Sequence, residues 1–170
     1  MGLGVVSGAV TLLGDFISAD AVLPARYSFL PPVAMAEHVM HELGPDANAR
    51  IRSHRILVVG EAFGYGTGRE SPARALRAAG VQAVLGASFS RMFYRNAVNN
   101  GVLVLDCPDL VGCGIAEDDV IDIDLQACEV RWKSRSFAIA AVPAIVRSIV
   151  EAGDLIALGR KIVESGRDAG

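Results

Sequence analysis

A glycine-rich segment between an apolar run and a helix signal constrains the fold of this chain more than any other feature. Four glycines, at positions 60, 64, 66 and 68, follow the apolar run Ile56–Val59. Ser71 and Pro72 come next, a pair that suits the cap and the first position of a helix, and Gly80 lies beyond the expected helix end. This order predicts a buried strand, a loop of bare backbone and then a helix.

Strand and helix patterns alternate along most of the chain. Further strands are expected at Val5–Leu13, Val81–Gly86, Val102–Leu105 and Asp119–Leu125. Helices are expected at Val33–Leu43, from Ser88 or Ser90 to Gly101, and from Pro143 and Asp154. The two strand–helix–strand crossovers after residue 56 predict right-handed parallel pairing in one sheet. The segment 14–32 carries three prolines and is expected to be irregular.

Length and composition favour a single domain over residues 1–170. Hydrophobic residues make up 52% of the chain and charged residues 21%, and a domain this apolar often hides part of its surface against a partner. A net charge of −3 without a basic stripe argues against nucleic acid as a ligand. The apolar runs are too short and too broken for a membrane span, and residues 1–7 lack the positive leader of a signal peptide.

The cysteines indicate the redox compartment. Cys107, Cys113 and Cys128 are odd in number and have no C-x-x-C spacing. We interpret them as reduced thiols and expect a cytoplasmic protein.

The glycine segment also carries the most distinctive chemistry of the chain. A single hydroxyl, Thr67, and a single cation, Arg69, lie among glycines just before the expected helix. Exposed backbone N–H groups next to a positive charge favour the binding of an anion. A dinucleotide site is disfavoured because the spacing is G-x-G-x-G and no acid follows about twenty residues later. A P-loop is disfavoured because no Gly-Lys-Ser/Thr follows. We therefore favour a carboxylate- or phosphate-binding loop over a purely structural turn.

Two other clusters have plainer explanations than a metal site. His38 and His41 share the expected helix 33–43, but no third ligand stands at metal-site spacing, so no metal is predicted. The acids among residues 118–124 alternate with aliphatic residues, which is typical of the solvent-exposed face of a strand and not of a calcium site. Trp132 and Tyr94 are expected in the core or at an interface.

The combined motifs resemble one protein family. Gly60–Pro72 and Ala78–Gly101 closely resemble the small subunit of 3-isopropylmalate dehydratase, which is homologous to the swivelling domain of aconitases. Gly14–Tyr27 looks like the N-terminal loop of that family, and the patterns after residue 118 follow the family as well. The resemblance covers residues 6–158, nearly the whole chain.

The resemblance implies a fold and a division of labour. The fold is an α/β swivelling β/β/α domain, in which a mixed, partly barrel-like sheet has flanking helices. A separate large subunit, joined as a heterodimer or heterotetramer, holds a [4Fe–4S] cluster through three cysteines, and this chain alone binds no cofactor. The implied reaction is hydro-lyase chemistry, the dehydration and rehydration of a small 2-hydroxy di- or tricarboxylic acid.

The resemblance also implies roles for the residues of the loop. Family members carry Gly-Ser-Ser-Arg-Glu where this chain has Gly66–Glu70, so Thr67 takes the position of the base that removes the Cα proton. A hydroxyl is a poor base unless the loop N–H groups and the arginine stabilise its alkoxide, as an oxyanion hole would. The expected substrate-binding residues of the loop are Gly66, Gly68 and Arg69, with the guanidinium holding a carboxylate. The expected supports of the loop are Asp20, Glu70 and Ser71.

Several departures from the family pattern affect the substrate more than the reaction class. Thr67 keeps the hydroxyl but adds a methyl group, and Gly68 removes a second hydroxyl. Ser71 stands for the usual histidine, Tyr65 for a frequent cysteine, and Ser18–Asp20 for Asp-Thr-Asp. A relative in specialised metabolism that acts on another substituted malate or citrate fits these changes equally well.

The segment Tyr27–Leu30 occupies the specificity loop of the family, and Tyr27 and Phe29 are expected to contact the substrate. Homoaconitase-type relatives, which handle a second distal carboxylate, place an arginine about where Phe29 stands. Burying an unpaired carboxylate against phenylalanine costs several kcal/mol. The sequence therefore predicts an apolar, isopropylmalate-like substituent on the substrate.

Two other functions stay open at this point. One is a noncatalytic or regulatory binding domain that kept the fold and lost the base. The other, more weakly supported, is a dinucleotide-binding oxidoreductase module. Removal of the Thr67 hydroxyl distinguishes the enzyme from the noncatalytic domain.

Overall fold

A computed structural model describes residues 4–44 and 46–167 of the chain. Residues 1–3, which belong to the segment expected to lack a signal-peptide leader, lie outside the described residues. The strands are β1 Val5–Leu12, β2 Ile56–Val59, β3 Ala83–Gly86, β4 Leu103–Asp106, β5 Val120–Asp124, β6 Glu129–Trp132 and β7 Arg135–Ala138. The helices are α1 Ala19–Val22, α2 Pro32–Ala36, α3 Ala47–His54, α4 Ser71–Ala78, α5 Arg91–Asn99, α6 Pro108–Val111, α7 Ala144–Ala152 and α8 Leu155–Arg167. Short 3-10 turns cover Ala25–Tyr27 and His41–Leu43.

The strands form one mixed sheet in the order β4-β3-β2-β1-β5-β6-β7. The first four strands in that order pair in parallel, and β1, β5, β6 and β7 pair antiparallel. Strand β1 joins the two halves, because Val10 is paired with Ile56 on one side and Val6 with Ile123 on the other. The sheet curls into a half-barrel with helices on its flanks. The predicted parallel pairing and the mixed, partly barrel-like sheet are both confirmed.

The parallel strands are buried on both faces, which explains why they are continuous apolar runs. Alternate residues such as Leu57, Val59 and Val84 enter a first core under the helices that lie between residues 19 and 99. Their neighbours, among them Val58 and Leu85, enter a second core shared with the antiparallel strands. Strand β5 buries one face and leaves its acids on the other, as the alternation of residues 119–125 predicts.

The prediction of a helix over Val33–Leu43 is wrong for the residues after Ala36, because α2 ends there. Met40 adopts a left-handed backbone with φ of 51°, which no α-helix accommodates. Its N–H donates to the carbonyl of Val22 at 2.9 Å and its side chain is fully buried. The amide of Asn48 donates to the carbonyls of Ala36 and Val39 at 2.8 Å each, so side-chain bonds satisfy the backbone where the helix stops.

Helix α3 and strands β6 and β7 were not predicted because their apolar signals are weak, and neither were the four-residue helices α1, in the segment 14–32 that was expected to be irregular, and α6. Helix α3 buries Ala47 and Ile51 and is otherwise polar, so it has little hydrophobic periodicity. Strands β6 and β7 form a short hairpin whose turn contains Lys133 with φ of 54°. Trp132 ends β6 and is buried in the second core, as expected of it, and Tyr94 packs partly buried against the first core.

The three cysteines are free thiols, one buried and two half-buried. Burial raises the pKa of the Cys107 thiol, which keeps it protonated. Within the described ranges, no helix combines the length and the apolar character that a bilayer crossing requires.

Candidate active-site loop

The glycine-rich loop connects β2 to α4, and therefore lies at the carboxyl edge of the parallel half of the sheet. Its first half, residues 60–64, is built for packing. A Cβ on Gly60 would come within 1.8 Å of Asp15 Oδ1, and the same oxygen accepts a hydrogen bond from the N–H of Glu61 at 2.8 Å. A glycine is required here because Asp15 approaches the backbone closely.

Gly64 has a similar reason to be glycine. Its φ is 78°, and a Cβ would lie 2.3 Å from Phe93 Cγ. The N–H of Gly64 donates to the carbonyl of Ile17 at 2.8 Å, and the N–H of Ala19 donates to the carbonyl of Tyr65 at 2.8 Å. Two of the four glycines thus attach the loop to its neighbours and do not line an anion cradle.

The second half of the loop, Gly66–Arg69, carries the predicted chemistry. Gly66 and Gly68 are exposed, whereas Thr67 and Arg69 are half-buried. The hydroxyl oxygen of Thr67 accepts a hydrogen bond from the N–H of Arg69 at 3.3 Å. Helix α4 begins directly after this half, so the positive end of its dipole lies next to the loop.

Arg69 forms an ion pair with Asp20, which lies in α1. Ser18 caps that short helix by accepting from the N–H of Ala21 at 3.0 Å, so the position of the carboxylate is well defined. The Nε of Arg69 is buried and has no hydrogen-bond partner among the described residues. The structure therefore brings together two residues that are 49 positions apart and were both predicted to belong to the site.

Asn96 is a loop-positioning residue that the sequence did not single out. Its amide in α5 donates to the carbonyls of Gly68 and Arg69 at 3.1 Å each. Four residues later, the amide of Asn100 donates to Glu70 Oε1 at 2.8 Å. Glu70 is thus held by Asn100, the residue that ends α5, and no local pattern in the sequence predicts these contacts.

Ser71 does not cap α4, contrary to the prediction. It is the first residue of the helix, and the cap residue, Glu70, makes no side-chain capping bond. The Ser71 hydroxyl is buried and donates to Ser28 Oγ at 2.9 Å. Proline at the next position lacks an N–H in any case, so this helix start leaves one donor fewer to satisfy. Ser71 therefore connects α4 to the segment 27–30.

The segment 27–30 presents one stacked and one free aromatic ring. Tyr27 stacks face to face on His38, with ring centroids 3.8 Å apart, and the Arg26 guanidinium lies 4.7 Å from the same ring. Phe29 is 95% exposed. His38 is therefore engaged by an aromatic partner, and His41 meets it edge-on with centroids 6.4 Å apart.

The residue types that bind metals converge elsewhere in the described part of the chain. Atoms of His54, Glu117 and Asp118 lie within 4.8 Å of one another. His54 Nδ1 lies 2.9 Å from Thr11 Oγ1, and Glu117 accepts from the N–H of Leu12 at 2.7 Å. These contacts attach the end of α3 to β1, and they explain the cluster as a structural network.

Exposed apolar side chains lie on the loop, on segments that contact it, and on segments that contact the following helix α4: Phe16, Phe29, Val33, Tyr65 and Met92. Each is at least 45% exposed, which is unusual for so many large apolar residues in one region. These five side chains form an open apolar rim on the side of the molecule that carries Thr67 and Arg69.

Comparison with known proteins gives a consistent picture. The family described as the aconitase C-terminal domain matches residues 35–110. The chain is 34% identical over 154 residues to the 3-isopropylmalate dehydratase small subunit of Halothermothrix orenii, spanning 89% of this chain and 93% of that protein. It is 35% identical over 159 residues to the same-named protein of Methanosarcina mazei, spanning 93% and 98%.

The fold also matches a solved structure. The crystal structure of 3-isopropylmalate dehydratase (LeuD) from Methanocaldococcus jannaschii superposes with a TM-score of 0.83 at 28% identity. The match covers 96% of this chain and 99% of that one.

Proposed function

The chain belongs to the 3-isopropylmalate dehydratase small-subunit family, and from this membership we propose that it is the small subunit of an aconitase-type hydro-lyase, active only with a large subunit. The substrate is a 2-hydroxy diacid that loses water to give an unsaturated diacid, to which water returns at the neighbouring carbon. The observation that carries the proposal is the pairing of the Thr67 hydroxyl with the N–H of Arg69 beside the apolar rim.

Thr67 serves as the base that removes the Cα proton of the substrate. A neutral hydroxyl is a weak base, so the surroundings must stabilise the alkoxide form. The N–H of Arg69, 3.3 Å from Thr67 Oγ1, and the positive end of the α4 dipole both act in that direction. Asn96 holds the two carbonyls on either side of this N–H and thereby fixes its direction.

Arg69 binds a substrate carboxylate, with Gly66 and Gly68 leaving room for the ligand to approach the backbone. The ion pair with Asp20 keeps the guanidinium beside the loop before substrate arrives. Its Nε is buried, so the part of the 35% exposed side chain that can reach a substrate carboxylate is the pair of terminal nitrogens.

A [4Fe–4S] cluster on the large subunit supplies the Lewis acid for the hydroxyl and carboxylate of the substrate. The cysteines of this chain fit the role of a partner and not of a carrier. Cys107 is buried in the second core, and Cys113 and Cys128 are half-buried and pack against the same core. This chain's own contribution is therefore the proton transfer and the carboxylate contact.

The large subunit covers the apolar rim and completes the site, in a heterodimer or heterotetramer. Phe29 then becomes a wall of the substrate pocket, because its ring is almost wholly exposed in the isolated chain. A buried phenylalanine favours an apolar substituent over a third carboxylate. Free thiols in all three cysteines support a cytoplasmic location.

The test is an anaerobic assay of the complex with its cluster-bearing large subunit on a panel of 2-hydroxy diacids and tricarboxylates. Thr67→Val removes the hydroxyl but keeps the branched shape, whereas Thr67→Ser keeps the hydroxyl. We expect Thr67→Val to lower kcat by about 100-fold or more and Thr67→Ser to retain activity, with assembly intact in both.

Three outcomes would contradict parts of the proposal. Full activity of the Thr67→Val complex would show that Thr67 is not the base. A correctly assembled complex that turns over none of the acids would favour a noncatalytic or regulatory binding domain. Faster turnover of a tricarboxylate than of isopropylmalate would overturn the role assigned to Phe29.

A further inference from the structure

A groove separate from the catalytic loop lies between α4, the end of α5 and the corner at which α7 meets α8. Its volume is about 630 Å³. Small-molecule sites in proteins usually enclose roughly 300–1,000 Å³. Neither Thr67 nor Arg69 lines the groove, whose apolar wall is formed by Pro32, Ala78, Leu155 and Ile156. The groove is therefore large enough for an organic molecule and distinct from the proposed catalytic site.

Two walls of the groove are in direct contact, because the corner between α7 and α8 packs on the chain after α5. A Cβ on Gly101 would lie 1.8 Å from the carbonyl oxygen of Gly153, which is a close approach that only glycine allows. The N–H of Gly153 donates to the carbonyls of Ile149 and Val150 at 3.1 and 3.2 Å and so ends α7. These walls are held together by the chain itself, so a ligand need not order them on binding.

The groove contains two carboxylates, and both have hydrogen-bond partners within the chain. Glu70 Oε1 accepts from the amide of Asn100 at 2.8 Å. Asp154 directly precedes α8, and its Oδ1 accepts from the N–H of Ala157 at 2.6 Å, as the capping residue of a helix does. Hydrogen bonds to the charged form stabilise both acids where they are, so neither needs a ligand to satisfy it.

The groove also contains two arginines, and these lack such partners. Arg74 and Arg77 are exposed and lie three residues apart on α4, so their side chains are neighbours on the helix surface. None of the ion pairs among the described residues involves either guanidinium. Arg77 Nη2 would lie 3.9 Å from a Cβ on Gly153, so this guanidinium lies against the corner between α7 and α8. The charge that has no partner in the groove is therefore positive.

We propose that this groove binds a small organic anion, with its carboxylate or phosphate group on Arg74 and Arg77 and its apolar part on Leu155 and Ile156. Two neighbouring guanidiniums supply N–H donors in the planar geometry that matches either head group. The groove is larger than an inorganic anion needs, and its apolar wall would not contribute to binding one. Leu155 and Ile156 are 44% and 68% exposed, so an apolar ligand would be stabilised by covering them. This inference does not depend on the proposed catalytic function.

The first test is an NMR titration of the full, ¹⁵N-labelled chain with three probes that share one tail. Hexanoate and hexyl phosphate carry the two anionic head groups, and hexanamide is uncharged. We expect at least one anion to bind at least about tenfold more tightly than hexanamide, because charge-assisted hydrogen bonds to arginine require an anion. The largest amide shift changes should fall in residues 74–78 and 153–157. The anion that binds more tightly identifies the preferred head group.

The second test removes the two arginines one at a time. Arg74→Gln and Arg77→Gln each take one charge from the groove, whereas Arg52→Gln takes one from an exposed position on α3. We expect each groove variant to raise the dissociation constant of the tighter anion at least about tenfold, because a charge-assisted contact is lost. The Arg52→Gln variant should leave that constant unchanged. Thermal unfolding checks that all three variants are folded.

Several results would overturn the proposal. These are the absence of binding by either anion, equal affinity for the anions and hexanamide, and equal losses in Arg52→Gln and the groove variants. Shift changes confined to residues 66–69 would assign the anion to the catalytic loop instead. Calorimetric titration of the complex with the large subunit should give the same dissociation constant as the full chain alone. Loss of binding in that complex would overturn the proposal by showing that the large subunit covers the groove.

Discussion

At the scale of single residues, the four glycines of the loop differ in role, since two are required by close packing and two are exposed beside Thr67 and Arg69. Gly60 and Gly64 are needed because Asp15 and Phe93 occupy the space of a side chain. The exposed second half carries Thr67 and Arg69, which contacts from α1 and α5 hold in place. The sequence singles out the two residues that we propose to act on the substrate, but it does not single out Asn96, since that contact depends on how α5 lies against the loop.

Arg69→Lys tests the planar fork of the guanidinium. Lysine keeps the charge but cannot bind a carboxylate through two parallel N–H groups, so we expect KM of the complex to rise by about tenfold or more with a smaller change in kcat. The matched control is Arg52→Lys, an exposed arginine within α3. Steady-state kinetics of both variants measure the effect. An unchanged KM in Arg69→Lys would remove this residue from substrate binding.

At the scale of elements, strongly periodic or fully apolar segments were predicted, and weakly patterned ones were not. Strands β1 to β5 lie within a residue or two of their predicted positions because their apolar runs are continuous or alternating. Helix α2 ends early because the chain turns at Met40 to bury that side chain. Helix α3 was not expected because two buried residues leave almost no pattern.

Gly64→Ala tests the packing of the loop against α5. A methyl group there meets the Phe93 ring and a left-handed backbone at once, so we expect a loss of about 2–4 kcal/mol in the free energy of unfolding. Gly66→Ala is the control, because Gly66 also has a positive φ but a Cβ there would lie 4.0 Å from Ser18 Cβ. The control should lose about 1–2 kcal/mol in urea unfolding. Equal losses would show that the ring contact does not matter.

At the scale of the whole molecule, the sheet places the proposed site at an open edge. Both cores are closed by the chain's own helices and strands, but the apolar rim around the loop is not. This explains the high apolar content noted in the sequence: part of it is surface that suits a partner. The location of the rim could not be predicted, since its residues come from four separate segments.

Phe16→Asn separates folding from assembly. Phe16 is 61% exposed with φ of 54°, a backbone conformation that asparagine adopts more readily than phenylalanine. We expect the isolated variant to be at least as stable as the wild type in thermal unfolding, but to bind the large subunit at least about tenfold more weakly. Ile145→Asn, 58% exposed on α7, is the control and should assemble normally. Equal binding by wild type and Phe16→Asn would exclude this part of the rim from the interface.

The sequence by itself determined the fold class and the family, and it singled out the two residues of the loop that we propose to act on the substrate. These depend on local order: periodicity along a strand or helix, and a run of residues read in succession. Only the tertiary structure decided that Asp20 holds Arg69, that Asn96 holds the loop, that Ser71 bonds Ser28 instead of capping α4, and that α2 stops at Ala36. Each of these is a contact between segments far apart in the chain, and such contacts depend on how the helices pack on the sheet, for which no local pattern exists.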